Sequence, residues 1–250
     1  MARSLHVNNH FYAPGLAMKK LQQLLATVLL AGTALAQAAP VYWTDWQTSN
    51  PNAVGFEGSG TITTTTSTVS VTYTNRQGVG FYDTGAGFDY WAYGTPYTSA
   101  AVDNRPTGSD QIALSHAGSQ TLQFSQAIAN PVFAFISLNG NGYGFDRDFD
   151  ILSVGCGYWG CGNVTKNVID HGGGVFEYQL IGTGEPHGAI RFKGSFDTVT
   201  WNSLTDEYWN GFTVGVQGTA VEVFGVPEPT GLALAGLALA LAAGVRRRRS

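Results

Sequence analysis

Between residues 39 and 225, apolar and polar positions alternate with a period of two, and few windows repeat apolar residues at helical spacing. Successive side chains of a strand point to opposite faces, so this period predicts half-buried β-strands. β-branched residues fill the alternating segments, and turn-forming residues separate them. The pattern predicts strands over residues 61–63, 69–74, 79–82, 111–115, 120–125, 131–138, 145–154, 174–181, 189–194, 198–202, 211–217 and 220–224.

Short strands at close intervals predict an all-β fold, an antiparallel two-sheet sandwich of jelly-roll type. One long irregular insertion, residues 85–110, is rich in aromatic, Gly and Pro residues. Two apolar stretches outside the strands predict helices, an N-terminal signal helix and a C-terminal transmembrane helix. We therefore expect three parts: residues 1–38, an exported β-sandwich domain at 39–225, and a tail at 226–250.

The first part of the chain contains the regions of a signal peptide. Lys19 and Lys20 form the positive region, residues 21–35 the apolar core, and residues 36–38 a small-x-small cleavage site. This order predicts export through the Sec machinery. The residues before Met18 fit no part of such a signal, so we expect translation to start at Met18.

The tail has three parts in a fixed order: a Pro-Glu-Pro segment, an uncharged stretch at residues 230–245, and an arginine cluster. As a helix, the sixteen residues of the stretch span about 24 Å, somewhat less than the roughly 30 Å hydrocarbon core of a bilayer. The arginines place the end of the chain in the cytoplasm and the rest of the protein outside. A tail of this composition is also compatible with an ordinary C-terminal membrane anchor.

This tail resembles the PEP-CTERM sorting signal. The residues that carry the resemblance are Val226, Pro227, Glu228, Pro229, Arg246, Arg247, Arg248 and Arg249. The resemblance implies recognition by an exosortase, a membrane-embedded cysteine transpeptidase of bacteria that make exopolysaccharide, and cleavage near the Pro-Glu-Pro segment. It further implies a transient inner-membrane anchor, followed by delivery to the cell surface or extracellular matrix. About 90 residues of the second half also resemble a recurrent β-rich PEP-CTERM ectodomain without an assigned activity.

The exported part is acidic. Residues 39–225 contain six basic and sixteen acidic side chains, and six minus sixteen gives a formal charge of −10. Binding of duplex nucleic acid rests on cationic side chains against phosphates, so this charge argues against a nucleic-acid partner. It is compatible with divalent cations, neutral glycans or solubility alone.

Cys156 and Cys161 are the two cysteines of the chain. In an exported domain an isolated pair is most simply a disulfide that closes a tight loop, with two buried free thiols as the alternative. No nearby Cys or His completes the roughly four ligands of a zinc site. The bridge would shape the loop that contains Tyr158 and Trp159.

Asp146, Asp148 and Asp150 alternate, which on a strand places them on one face about 6.5 to 7 Å apart. Such carboxylates repel one another unless a cation or a partner like Arg147 offsets them, and Ca²⁺ favours oxygen ligands of this kind. The three aspartates are therefore candidate calcium ligands. A solvated strand face is the alternative, and the segment departs from the EF-hand pattern.

Exposed aromatic side chains provide flat apolar surfaces on which sugar rings can stack. The candidate glycan-binding residues are Tyr158, Trp159, Trp201 and Trp209. The insertion adds Trp91, Tyr93 and Tyr97 as further candidates. Trp201 occupies an alternating strand position, and residues at such positions more often belong to the core.

Catalytic motifs are lacking: the sequence has no nucleophile elbow, no phosphate loop and no His-Glu-x-x-His zinc motif. Acid pairs such as Glu177 with Glu185, or Asp206 with Glu207, leave a glycosidase dyad open. We expect a non-catalytic surface or matrix protein without a resident cofactor, associated with exopolysaccharide or biofilm. A glycan-binding module, a structural matrix protein and a glycosidase remain three separate hypotheses.

Overall fold

The computed structural model describes residues 38–225, which form fifteen strands and one short α-helix. One sheet has seven strands: β1 (Tyr42–Trp43), β5 (Phe81–Asp83), β6 (Gln111–Leu114), β8 (Val132–Ile136), β10 (Phe149–Gly155), β13 (His187–Phe192) and β15 (Asn210–Val216). The other has eight: β2 (Asp45–Ser49), β3 (Phe56–Thr63), β4 (Thr68–Asn75), β7 (Gly118–Ala129), β9 (Gly142–Phe145), β11 (Gly162–Asp170), β12 (Phe176–Gly184) and β14 (Ser195–Ser203).

Neighbouring strands in both sheets are antiparallel. The seven-stranded sheet has the order β10-β13-β8-β15-β6-β5, with β1 beside β15. The eight-stranded sheet has the order β11-β12-β9-β14-β7-β4-β3-β2. From β6 to β11 the chain alternates between the sheets, as it does again from β12 to β15. The predicted all-β architecture of two antiparallel sheets is therefore confirmed.

The core lies between the two sheets and is rich in aromatic side chains. Phe133 and Phe212 of the seven-stranded sheet stack with ring centroids 4.9 Å apart. Both meet Trp201 of the eight-stranded sheet, at 5.6 Å and 5.3 Å. Burial of a phenylalanine side chain contributes about 1.5 to 3 kcal/mol, so these contacts are a main source of the sandwich's stability.

The seven-stranded sheet is covered on both faces. All residues of β8 and β15 are buried, whereas β4 begins with alternating exposed and buried residues. The insertion covers one part of the outer face, where Trp91 and Tyr97 pack on β8. The segment with Val41 packs on another part. An antiparallel strand buried on both faces loses its alternation, so β8 is a continuous apolar run.

Two strand predictions are wrong, and three strands of the structure were not predicted. Residues 145–154 form two strands in different sheets, β9 and β10, because the chain turns at 146–148. The predicted strand at 220–224 is instead the helix α1 (Ala220–Phe224), which begins with a capping box. In that box the Thr219 hydroxyl accepts from the Glu222 backbone N–H, and the Glu222 carboxylate accepts from the Thr219 N–H. β11, β1 and β2 were not predicted from the sequence.

No helix within residues 38–225 is long and apolar enough to cross a membrane. The predicted signal helix, the predicted transmembrane helix and the sorting motif at 226–229 with its arginines all lie outside the described residues.

Candidate functional site

The insertion is anchored to the outer face of the seven-stranded sheet by two buried aromatic rings. Trp91 lies in a 3₁₀ turn at Tyr90–Ala92, and its ring meets Tyr97 edge to face at 5.1 Å. The Tyr97 hydroxyl forms a 3.2 Å hydrogen bond with Nδ1 of the buried His187 on β13. Trp91 and Tyr97 are therefore part of the core, and of the three insertion candidates only Tyr93 is exposed.

The cysteine pair closes the loop between β10 and β11. Cys156 and Cys161 form the predicted disulfide, with their Cα atoms 4.0 Å apart. Two glycines let this loop pack closely: a Cβ at Gly157 would clash with the His187 ring, and one at Gly94 with the Cys156 carbonyl oxygen. The disulfide loop therefore lies on β13 on one side and against the insertion on the other.

Seven aromatic side chains from four separate segments meet at this point and form what we call the aromatic patch. Tyr158 has ring centroids 5.2 Å from Phe88, 5.2 Å from Tyr90 and 4.8 Å from Tyr93. Trp159 lies 4.8 Å from Tyr158 and 6.0 Å from Trp209. The members of the patch are Phe81, Phe88, Tyr90, Tyr93, Tyr158, Trp159 and Trp209.

Much of the aromatic patch faces solvent. Trp159 is 48% exposed, Phe88 46%, and Tyr93 and Tyr158 41% each. Trp209 and Tyr90 are partly buried against the Trp91 and Tyr97 cluster, which supports the patch from below. A large apolar surface fixed to a rigid sheet is a common feature of interaction sites, because its exposure is costly in a free protein.

A cavity of about 210 Å³ adjoins the aromatic patch. Trp159 and Trp209 line it together with the almost fully exposed Tyr208. Two carboxylates, Glu185 and Glu207, line it as well. The remaining lining residues are Ser137 and Asn139.

Amide and hydroxyl donors fix the two carboxylates. Asn139 donates from its side chain to Glu185 at 2.6 Å and from its backbone N–H to Glu207 at 3.3 Å. Ser137 also donates to Glu185, and Asn210 donates to Glu207 at 2.9 Å. Ser137 has a φ of 53°, a left-handed conformation that is costly for a serine and that concentrates at functional sites.

Glu207 has a strongly perturbed pKa. Partial burial is the largest cause, and it raises the pKa of this carboxyl to about 7, with the charge of Glu185 acting in the same direction. The hydrogen bonds from Asn210 and Asn139 oppose this rise. Among the described residues, no Lys, Arg or His nitrogen lies within 4.0 Å of either carboxylate.

The structure separates one predicted glycan-binding residue from the other three. Tyr158, Trp159 and Trp209 belong to the aromatic patch, although the sequence places Trp209 50 residues after Trp159. Trp201 is only 2% exposed and packs between the sheets, since its alternating position on β14 faces inward. Trp201 therefore has no free ring face to offer a sugar, and its place in the core corrects the prediction.

The three candidate calcium ligands do not share a strand face. Asp146 and Asp148 lie in the turn between β9 and β10, and Asp150 lies within β10. Lys193 bridges Asp148 and Asp150 at 3.1 Å and 2.9 Å, and Lys166 also pairs with Asp148. Within residues 38–225 no three His, Cys, Asp or Glu side chains are grouped so as to hold a metal ion. Lysine ammonium groups thus offset the charges of Asp148 and Asp150, and Arg147 pairs with Asp146 at 3.7 Å.

The carboxylate pairs considered from the sequence are also regrouped. Glu177 lies 3.3 Å from His171 on the β11–β12 hairpin, and Asp206 accepts a hydrogen bond from the Ala117 N–H. Their expected partners, Glu185 and Glu207, instead face one cavity together.

Sequence reasoning missed Phe81, Phe88 and Tyr90 as members of the patch, and it missed the pairing of Glu185 with Glu207. The high aromatic content of residues 85–110 was the available signal, but it does not indicate which rings are buried. The two glutamates are 22 residues apart in the sequence and both hydrogen-bond to Asn139. No local sequence motif indicates such a contact between distant residues.

No protein-family model, curated protein sequence or solved structure matches the chain.

Proposed function

We propose that the chain is an exported, non-catalytic protein of the cell surface or extracellular matrix, and that it binds exopolysaccharide through the aromatic patch. The single observation that carries the binding proposal is the meeting of seven aromatic rings on one surface, four of them more than 40% exposed. Sugar rings have apolar faces edged with hydroxyl groups, and aromatic side chains that are apolar and partly hydrogen-bonding complement them.

The construction of the patch supports binding over a purely structural role. Trp91 and Tyr97 beneath the patch already cover β8 on the outer face of the sheet. Packing alone does not require the exposed rings of Tyr158 and Trp159, which lie on a disulfide-closed loop. A constrained loop loses little conformational entropy on binding, which favours affinity. We also propose that the strands of the two sheets are connected as in a jelly roll, as the strand pattern of the sequence predicts.

A glycan array tests the binding proposal. The full-length chain is applied to oligosaccharides of glucose, N-acetylglucosamine and glucosamine, and to exopolysaccharide from the producing cells. Removal of a central aromatic contact costs more than about 1 kcal/mol, so Trp159→Ala should weaken binding about fivefold or more. Phe176→Ala is the matched control, because Phe176 is 41% exposed but lies on β12 outside the patch. Equal binding by both variants would contradict the proposal.

The route to the surface is a separate part of the proposal, supported by the resemblance of residues 226–250 to a PEP-CTERM signal. Exosortase is the proposed processing partner, and the inner membrane is a transient anchor. Deletion of residues 226–229 should leave the protein in the inner-membrane fraction, as detected by immunoblotting of fractionated cells. Normal surface delivery of the deletion variant would overturn the sorting proposal.

Glycoside hydrolysis is the second candidate, favoured by one observation. Glu185 and Glu207 line one cavity beside two tryptophans, and a carboxyl with a pKa near 7 is suited to act as a general acid. Release of reducing ends from the array oligosaccharides, lost in Glu207→Gln, would establish this activity. Unchanged oligosaccharides after prolonged incubation would leave binding as the function.

A further inference from the structure

We propose that the cavity beside the aromatic patch binds a sugar unit with a free amino group, so that the exopolysaccharide the protein recognises contains unacetylated hexosamine. The inference rests on the proposed function and specifies its ligand. It follows from the two carboxylates, the aromatic residues that line the cavity, and the size of the cavity.

Within residues 38–225, the two carboxylates lack a positively charged partner. Elsewhere in the described domain, Asp148 of the β9–β10 turn pairs with Lys166 and Lys193. Glu185 and Glu207 have only neutral donors around them, from Ser137, Asn139 and Asn210. Two carboxylates held together in this way in a domain of formal charge −10 attract a cation to the cavity.

The aromatic lining favours an organic cation over a metal ion. Trp159 and Trp209 line the cavity with the exposed Tyr208, and an ammonium group gains energy over such ring faces. A divalent metal ion prefers six or more oxygen ligands, and no group of three acidic or histidine ligands surrounds this point in the described residues. Asn139 hydrogen-bonds to both carboxylates, so we expect one ammonium group of a sugar unit to contact both while the sugar ring lies against the tryptophans.

The size of the cavity limits what can enter it. Its volume of about 210 Å³ is below the roughly 300 to 1,000 Å³ of pockets that enclose a drug-sized molecule. The cavity therefore suits one unit of a chain, while neighbouring units extend over the aromatic patch. An acetylated amine has no charge to offer the carboxylates, so acetylation should remove this contribution.

The protonation state of Glu207 provides an additional readout. Its titratable neighbours are Glu185, whose charge raises the pKa of Glu207, and the buried Tyr143, whose own pKa is raised by burial and by the charge of Glu207. A bound ammonium group favours the carboxylate, so binding of the protonated amine at a pH below the Glu207 pKa of about 7 should release a proton from Glu207. Calorimetry in two buffers of different ionisation enthalpy measures this release.

The test compares glucosamine hexamer with N-acetylglucosamine hexamer by calorimetry on the full-length chain. A hydrogen bond between charged groups contributes about 1.5 kcal/mol or more, so the free-amine hexamer should bind about tenfold tighter. Glu185→Gln and Glu207→Gln should each abolish most of this preference, so that the ratio of the two affinities falls toward one. Glu57→Gln is the matched control, because Glu57 lies on β3 of the eight-stranded sheet, accepts from Asn50 and does not line the cavity.

The outcomes separate this inference from the proposed function. Equal affinity for both hexamers overturns the inference and leaves glycan binding by the aromatic patch intact. No binding to either hexamer or to exopolysaccharide overturns both. Cleavage of either hexamer overturns the inference in favour of the hydrolase. Thermal unfolding of each variant at the assay pH verifies that loss of preference does not arise from loss of folding.

Discussion

His187 should make the stability of the domain strongly dependent on pH. The side chain is fully buried beneath Gly157 of the disulfide loop, and its one hydrogen-bond partner in the described residues is the Tyr97 hydroxyl. Burial lowers the pKa of His187 from 6.5 to about 4. The folded state therefore binds this proton more weakly than the unfolded state does, and acid favours unfolding.

The sign and size of the effect follow from these two pKa values. Above pH 6.5 the histidine is neutral in both states and contributes no pH dependence. Below pH 6.5 the unfolded state takes up the proton first, so the free energy of unfolding falls by about 2 kcal/mol at pH 5 and about 3 kcal/mol at pH 4. Other groups with shifted pKa values, such as Glu207, titrate in the same range, so a variant is needed to isolate His187.

Urea unfolding of the wild type and His187→Gln at pH 8, 6, 5 and 4 supplies that comparison. Glutamine retains a polar group for Tyr97 but does not titrate. The variant should be the less stable protein at pH 8. The difference in unfolding free energy between wild type and variant should shrink by about 3 kcal/mol toward pH 4, because the wild type has then lost the contribution of its neutral histidine. A difference in unfolding free energy that stays constant across the four pH values would refute the reasoning.

Three further predictions concern other parts of the domain. Glu207→Gln should stabilise the protein above pH 7 by about 1 kcal/mol, a value reduced for the partial exposure of Glu207. The reason is the raised pKa of Glu207, because of which the free energy of unfolding of the wild type falls as the pH rises from 4.5 to 7. Equal pH profiles of the two proteins in thermal unfolding would contradict this prediction. Replacing Cys156 and Cys161 by serine should lower the unfolding free energy by about 2 kcal/mol, which is the loop entropy of a bridge with a sequence separation of 5. The same replacement should weaken glycan binding more than Phe176→Ala does. Millimolar Ca²⁺ should leave the Tm unchanged, because lysines pair with Asp148. A Ca²⁺-dependent rise in the Tm would support the calcium hypothesis instead.

The sequence predicted the β architecture well where one sheet face is open to solvent. β4 alternates as the sequence pattern indicates, because its outer face remains accessible. The alternating pattern wrongly predicted one continuous strand at residues 145–154. Phe145 and Phe149 both pack in the core but belong to two different strands, and the aspartates between them form the turn. The pattern also failed at 220–224, where valines suggested a strand and the capping box of Thr219 and Glu222 was the better signal.

The candidate site was predictable only in part. The disulfide and the exposure of Tyr158 and Trp159 follow from a short cysteine loop in an exported protein. The burial of Trp91 and the exposure of Phe88 do not, because an irregular insertion has no periodicity that distinguishes the two faces. The pairing of Glu185 with Glu207 depends on how separate strands and loops come together, which requires the fold itself.

The most direct test of the central claim is affinity electrophoresis of the full-length protein in gels that contain exopolysaccharide from the producing cells. The polysaccharide should retard the wild type and Phe176→Ala equally. The double variant Tyr158→Ala and Trp159→Ala should migrate as it does in a gel without polysaccharide, while its thermal unfolding remains cooperative. Retardation of the double variant to the same extent as the wild type would show that the aromatic patch is not the binding surface.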